Sequence, residues 1–96
     1  MGKNTGMSVS TSVTVHYWAA AKAAAGVSEE TIELPGEAML SDLTAAVRDR
    51  HGAELDRVIT VCSVLLDGRQ PESRDAATTP LPDRTVVEFL PPFAGG

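Results

Sequence analysis

The sequence predicts a two-layer α+β domain, with one main helix packed across a mixed sheet. Three stretches predict it. Residues 11–18, "TSVTVHYW", alternate apolar and polar side chains, the period of a strand with one buried face. Residues 40–52, "LSDLTAAVRDRHG", place Leu43, Ala46 and Val47 at the i, i+3, i+4 spacing of one helical stripe. Residues 85–90, "TVVEFL", alternate again and run into Pro91-Pro92, which has no N–H to continue a sheet ladder. A helix stripe laid over a sheet face buries both apolar surfaces.

The elements follow in order. In the first strand Val13, Val15 and Tyr17 point one way and Thr14, His16 and Trp18 the other. "AAAKAAAG" comes next. Alanine is the best helix former, but so short a run supports one or two turns only, closed at Gly26 as a left-handed cap. "SEETIELPG" reads as a second strand with Ile32 and Leu34 inward and Glu33 outward, turned by Pro35-Gly36. These two strands are expected to pair antiparallel across the alanine-rich connection. In the main helix Ser41 is the expected N-cap, Asp42 lies near the positive end of the dipole, Arg48, Arg50 and His51 crowd the last turn, and Gly52 closes it. "AELDRVIT" reads as a link. "VCSVLLDG", residues 61–68, is nearly continuous in apolar character, the look of a strand covered on both faces. "RQPESRDAATTPLPDR" carries three prolines and no periodicity, and reads as loop. In the last strand Val87 and Phe89 are expected inward. A helix between the second and third strands, with a final strand left to find a partner, is the order of a β-grasp roll.

The 96 residues make one domain with one small core. The division expected is a disordered lead-in at 1–9, a folded body at 10–90 and an extended tail at 91–96. The start, "MGKNTGMSVS", has one lysine and no apolar run, so it reads as a lead-in rather than a secretory signal, with Met7 a candidate start. Gly6 stands where a myristoylation pattern needs Ser or Thr. No stretch has the roughly 20 apolar residues of a membrane span. The net charge of −5 argues against a nucleic-acid partner, which requires a basic footprint. A single cysteine, Cys62, forms no internal disulfide and fits a cytoplasmic, reducing setting.

Few side chains offer site chemistry. His16, His51 and Cys62 are far apart in sequence, unlike the close pairs of zinc sites, so no metal is expected. Cys62 within an apolar run reads as a small buried hydrophobe, and Glu29-Glu30 as solvated charge. Phosphate loops, Gly-x-Ser-x-Gly elbows and His-Glu-x-x-His motifs are all missing from the sequence. The tail, "PPFAGG", remains. Pro91-Pro92 is stiff and fixes an exit direction. Phe93 is a large apolar residue just past the folded body, suited to anchoring a partner. Gly95 and Gly96 have no Cβ, so they can enter a channel too narrow for other residues and present the terminal carboxylate at its end. That carboxylate becomes an acyl donor once it is adenylated, and a sulfur nucleophile then yields a thiocarboxylate.

The tail "FLPPFAGG" and the start "VTVHYWAAAKAAAG" resemble the small sulfur-carrier subunits of molybdopterin synthase, within the ubiquitin-like sulfur-carrier family. "LSDLTAAVRDRHG" and "VLLDGR" fall at that family's central helix and third strand. The likeness spans roughly residues 12–96, and its most specific part is Pro-Pro-x-Ala-Gly-Gly behind a strand. It implies a β-grasp fold with no bound cofactor. It also implies an ATP-dependent adenylating and sulfurating enzyme that makes the Gly96 thiocarboxylate. The large synthase subunit is then the partner that receives the tail through Pro92, Phe93, Ala94 and Gly95, with sulfur passing to cyclic pyranopterin monophosphate. The chain would supply a reacting terminus to an enzyme rather than catalytic side chains. Many relatives carry Asp-Gly before the last strand where this chain has Asp83-Arg84, which puts that turn's geometry in question. Other readings are a carrier for thiamine or cysteine synthesis, a ubiquitin-like modifier joined through Gly96 to lysine, and a small binding domain with an inert tail.

Overall fold

The alternation in the first strand translates directly into a sheet. In the computed structural model, which describes residues 9–92, β1 (Ser10–Tyr17) buries Val13, Val15 and Tyr17 and leaves Thr14 and His16 half-buried on the opposite face. It pairs antiparallel with β2 (Glu29–Pro35), setting Val13 against Ile32 and Thr11 against Leu34. Between them α1 (Ala19–Ala25) ends at Gly26, whose φ of 80 is the left-handed cap expected there. Ala21 is fully buried beneath it.

After β2 the chain turns at Gly36, passes through the short strand β3 (Ala38–Met39) and enters α2 (Leu40–His51). Leu43 and Val47 are fully buried, as their spacing requires. The N-cap is Met39 rather than Ser41. The helix starts earlier because the Asp42 carboxylate accepts from the Met39 N–H at 2.7 Å, while Ser41 lies inside the first turn and its carbonyl accepts from the Thr44 hydroxyl. Residues 53–60 are not a link. They form α3 (Ala53–Thr60), which buries Leu55 and Ile59 at i, i+4 spacing. Eight residues do not hold a helix alone, and packing against α1 and α2 supplies what propensity does not.

The apolar run at 61–66 is divided between two elements. Val61 caps α3 and is 62% exposed, and only Ser63–Leu66 form β4. β4 is an edge strand with one neighbour, half-buried rather than covered on both faces. The following loop contains a 3-10 turn (Ala76–Thr78) and β5 (Pro80–Leu81), which pairs with β3 to make a second, two-stranded sheet.

β6 (Thr85–Leu90) lies beside β1 in parallel and beside β4 in antiparallel register, giving the order β2-β1-β6-β4. This is the mixed sheet of the β-grasp arrangement, with α2 crossing its inner face. Val87 and Phe89 are fully buried, joined by Thr85. The Asp83-Arg84 turn keeps a glycine-like shape without glycine. Arg84 has φ 68, its N–H donates to the Ser12 carbonyl at 2.7 Å, and Asp83 Oδ1 accepts from the Ser12 N–H at 2.8 Å.

Candidate functional site

The sequence points to the chain's end, so the geometry that matters is where β6 stops. Phe89 is fully buried and has a neighbour on each side, Tyr17 on β1 and Val64 on β4. The Trp18 N–H donates to the Phe89 carbonyl at 3.3 Å, and the Trp18 indole N–H donates to Glu88 Oε2 at 3.2 Å. Leu90 still pairs, with Ser63. Pro91 is half-buried and Pro92 exposed. The strand is therefore gripped on both sides up to Phe89, held by β4 alone at Leu90, and let go at the first proline. An open groove of about 450 Å³ flanks the exit, bordered by Ala20, Val58, Val61, Pro91 and Pro92 with Glu54 and Arg57 at its rim. Of the sequence-predicted site residues, Pro92 sits at this exit. Phe93, Ala94, Gly95 and Gly96 lie outside the described residues.

Behind the exit lies a polar cluster. Glu30 is not solvated charge, for its side chain is only 14% exposed. Its Oε2 accepts from the Tyr17 hydroxyl at 2.5 Å and lies 2.6 Å from His51 Nε2, and its Oε1 accepts from Arg50 at 3.0 Å. Burial alone would raise the Glu30 pKa, but the hydrogen bonds from Tyr17, His51 and Arg50 outweigh it and hold the carboxyl below its ordinary range. Burial, with the carboxylate beside it, pushes the Tyr17 phenol in the opposite direction, well above its ordinary value. The Tyr17 ring meets His51 edge-on at 5.8 Å and stacks on Phe89 at 6.2 Å, 14° from parallel. A sequence signal for this cluster did exist. Glu30 shares a strand face with Ile32 and Leu34, and His51 follows Leu43 and Val47 at i+4 steps.

The other candidates do not converge. His16 sits across from Glu29 on the outer sheet face at 3.5 Å. Cys62 is half-buried, its thiol donates to the Val58 carbonyl at 3.3 Å, and burial pushes its pKa up to about 11. It is a protonated, packed thiol at neutral pH. Among the described residues, no three His, Cys, Asp or Glu side chains gather to hold a metal ion, and no helix is long and apolar enough to cross a membrane.

The ThiS family matches residues 15–96. The chain belongs to the ThiS family. Among sequence relatives of this ThiS-family chain is a molybdopterin synthase sulfur carrier subunit from Chlamydomonas reinhardtii. It is 35% identical over 86 residues, which cover 88% of this chain and 98% of the relative. Solved structures agree. A candidate molybdopterin converting factor, subunit 1, from Pyrococcus furiosus superposes with a TM-score of 0.69 at 27% identity, covering 86% of this chain and 99% of that one. A complex of subunits 1 and 2 of the molybdopterin-converting factor from Helicobacter pylori contains a chain matched with a TM-score of 0.59. That match is also at 27% identity and covers 90% of this chain and 100% of that one.

Proposed function

We propose that this ThiS-family chain is a sulfur carrier for molybdopterin synthesis, with the Gly96 carboxylate as its reacting group. The near full-length match to a molybdopterin synthase sulfur carrier subunit carries the reading. The gripped end of β6 supports it, because a terminus that must be delivered to another protein's active site benefits from a rigid base.

The chemistry is performed on the tail by other proteins. The Gly96 carboxylate attacks the α-phosphorus of ATP on an activating enzyme, and pyrophosphate leaves. The acyl adenylate is then attacked at its carbonyl carbon by a sulfur nucleophile, and AMP leaves with the bonding pair. With hydrosulfide as that nucleophile the thiocarboxylate forms directly; with a persulfide, a second thiolate attacks the sulfur attached to the source, forms a disulfide with it and releases the thiocarboxylate. In the large synthase subunit this sulfur passes to cyclic pyranopterin monophosphate, and the tail returns as a carboxylate after hydrolysis. Phe93 is the anchor and Pro92, Ala94 and Gly95 line the approach. The chain contributes no acid, base or bound cofactor of its own.

Deleting Gly96 retracts the carboxylate by roughly 3.5 Å. Misplacing a reacting group by even about 1 Å can cost on the order of a hundredfold in rate. Adenylation and sulfur uptake by the deletion variant should collapse, and one added residue after Gly96 should do the same damage. The assay is ATP-dependent activation followed by intact-mass detection of sulfur in place of oxygen. Sulfur uptake by the deletion variant at the wild-type rate refutes the placement. Isopeptide-linked adducts in place of a thiocarboxylate would show a modifier instead.

A further inference from the structure

The cluster around Glu30 has no part in the chemistry just described, yet it ties together side chains far apart in the sequence. Three elements meet there. β1 supplies Tyr17, β2 supplies Glu30, and the last turn of α2 supplies Arg50 and His51. Net stability is a poor reason for it. Burying a carboxylate costs solvation that its partners only repay, and apolar side chains of similar volume commonly serve as well. What hydrogen bonds add is direction. A ring held only by apolar contact can tilt and slide, whereas one whose hydroxyl is tied to a fixed acceptor has one orientation.

The ring so held is placed where direction matters. Tyr17 is the last residue of β1 and the cross-strand partner of Phe89, and its ring is stacked on the Phe89 ring. Phe89 is the last inward-facing residue before Pro91. The connection from α2 to the tail therefore runs through Arg50 and His51 to Glu30, from Glu30 to the Tyr17 hydroxyl, and from the Tyr17 ring to Phe89 at the strand's end. We infer that Glu30 is a positioning residue for the reactive tail, holding Tyr17 in one orientation against Phe89 and so fixing the direction in which β6 delivers Pro91. The inference rests on the sulfur-carrier reading. In it a partner that threads the tail meets an exit already aimed, and less orienting is left to do on binding.

The test uses the full-length chain with its activating enzyme and ATP. The variants are Tyr17→Phe, which keeps the ring and its stack but removes the hydroxyl, Glu30→Leu, which removes the carboxylate, and Glu30→Gln, whose carbonyl still accepts from Tyr17. Circular dichroism at the assay temperature first establishes that each variant is folded. The KM for the carrier should then rise on the order of threefold to tenfold in Tyr17→Phe and Glu30→Leu, because orientation is lost before binding. The kcat at saturation should hold, and Glu30→Gln should recover most of the loss. Ring-to-ring nuclear Overhauser contacts between Tyr17 and Phe89 should weaken in the same two variants, and this readout does not depend on activity. If wild type is activated and folded Tyr17→Phe and Glu30→Leu give its KM, the positioning role is wrong and the carrier reading stands. A fall in kcat with unchanged KM also overturns it. If wild type itself is never activated, the carrier reading fails, and the inference that rests on it fails with it.

Discussion

Replacing Arg84 by glycine should stabilise this protein, against the usual direction of a glycine substitution. Arg84 is held at φ 68 between Asp83 and the first residue of β6. Holding an L-residue in the left-handed region costs about 1–2 kcal/mol, which glycine does not pay. Glycine also loosens the unfolded chain, which returns about 0.4–1 kcal/mol of that gain. The Arg84 side chain is exposed, so trimming it removes no buried contact, and the backbone bond from residue 84 to the Ser12 carbonyl is available to any residue but proline. The net expectation is a stabilisation of about 0.5–1 kcal/mol, or a rise of roughly 2–8 °C in unfolding midpoint for a domain of this size. Arg84→Val is the control, because a β-branched side chain is least tolerant of positive φ, and it should lower the midpoint. The assay is thermal unfolding followed by circular dichroism, with urea titration to show an unchanged m value. A lower midpoint for Arg84→Gly, or a higher one for Arg84→Val, would refute the strain argument.

Three further outcomes are expected. Leu43 is fully buried at the centre of the α2 stripe, so Leu43→Ala should cost about 2–5 kcal/mol through the cavity it leaves, and an unchanged urea midpoint would show that α2 packs by another face. The Glu30 carboxyl binds its proton less readily folded than unfolded. Its contribution is therefore complete above the ordinary carboxylate range and is lost as pH falls through its lowered folded value. Stability measured across acid pH should accordingly decline less steeply in Glu30→Gln than in wild type, and parallel curves would count against the cluster as drawn. The Cys62 thiol, pushed up to about 11 by burial, should react with iodoacetamide at neutral pH far more slowly than a free thiol, and labelling at the free-thiol rate would show that residue 62 is not packed against Val58.

The elements that the sequence disclosed are those whose pattern has one physical cause. The alternation in β1 and β6 comes from a sheet with a single buried face, and every inward residue expected of them is buried. Where two causes overlapped, the pattern misled. The apolar run from Val61 to Leu66 looks like one covered strand, but it is the cap of α3 followed by half of a sheet edge. α3 itself is invisible to propensity because its stability is tertiary. It starts on the glycine that ends α2, so no boundary separates the two patterns. Ser41 is a sound cap by residue type, and is displaced because Asp42 bonds the Met39 N–H two residues further out.

The candidate site divides along the same line. The role proposed for Gly95 and Gly96 can be read from sequence because it asks only for a missing side chain and a chain end, both of which are local properties. Glu30 is not local. Read beside Glu29 it is one of two charges at a strand start, and its neighbours in sequence give it no partner. Its partners come from residue 17, one strand away, and from residues 50 and 51, at the far end of a helix. Hydrogen bonding at such separations is decided by which faces the fold brings together. The informative sequence feature was a charged residue on an apolar stripe: Glu30 occupies the inward register of Ile32 and Leu34, where an unpaired carboxylate would be costly. A carboxylate in that register requires donors from whatever packs over the strand, and α2 is what crosses it. Its last turn carries Arg50 and His51, so the positive charge that suits a helix C-terminus also satisfies the carboxylate beneath it.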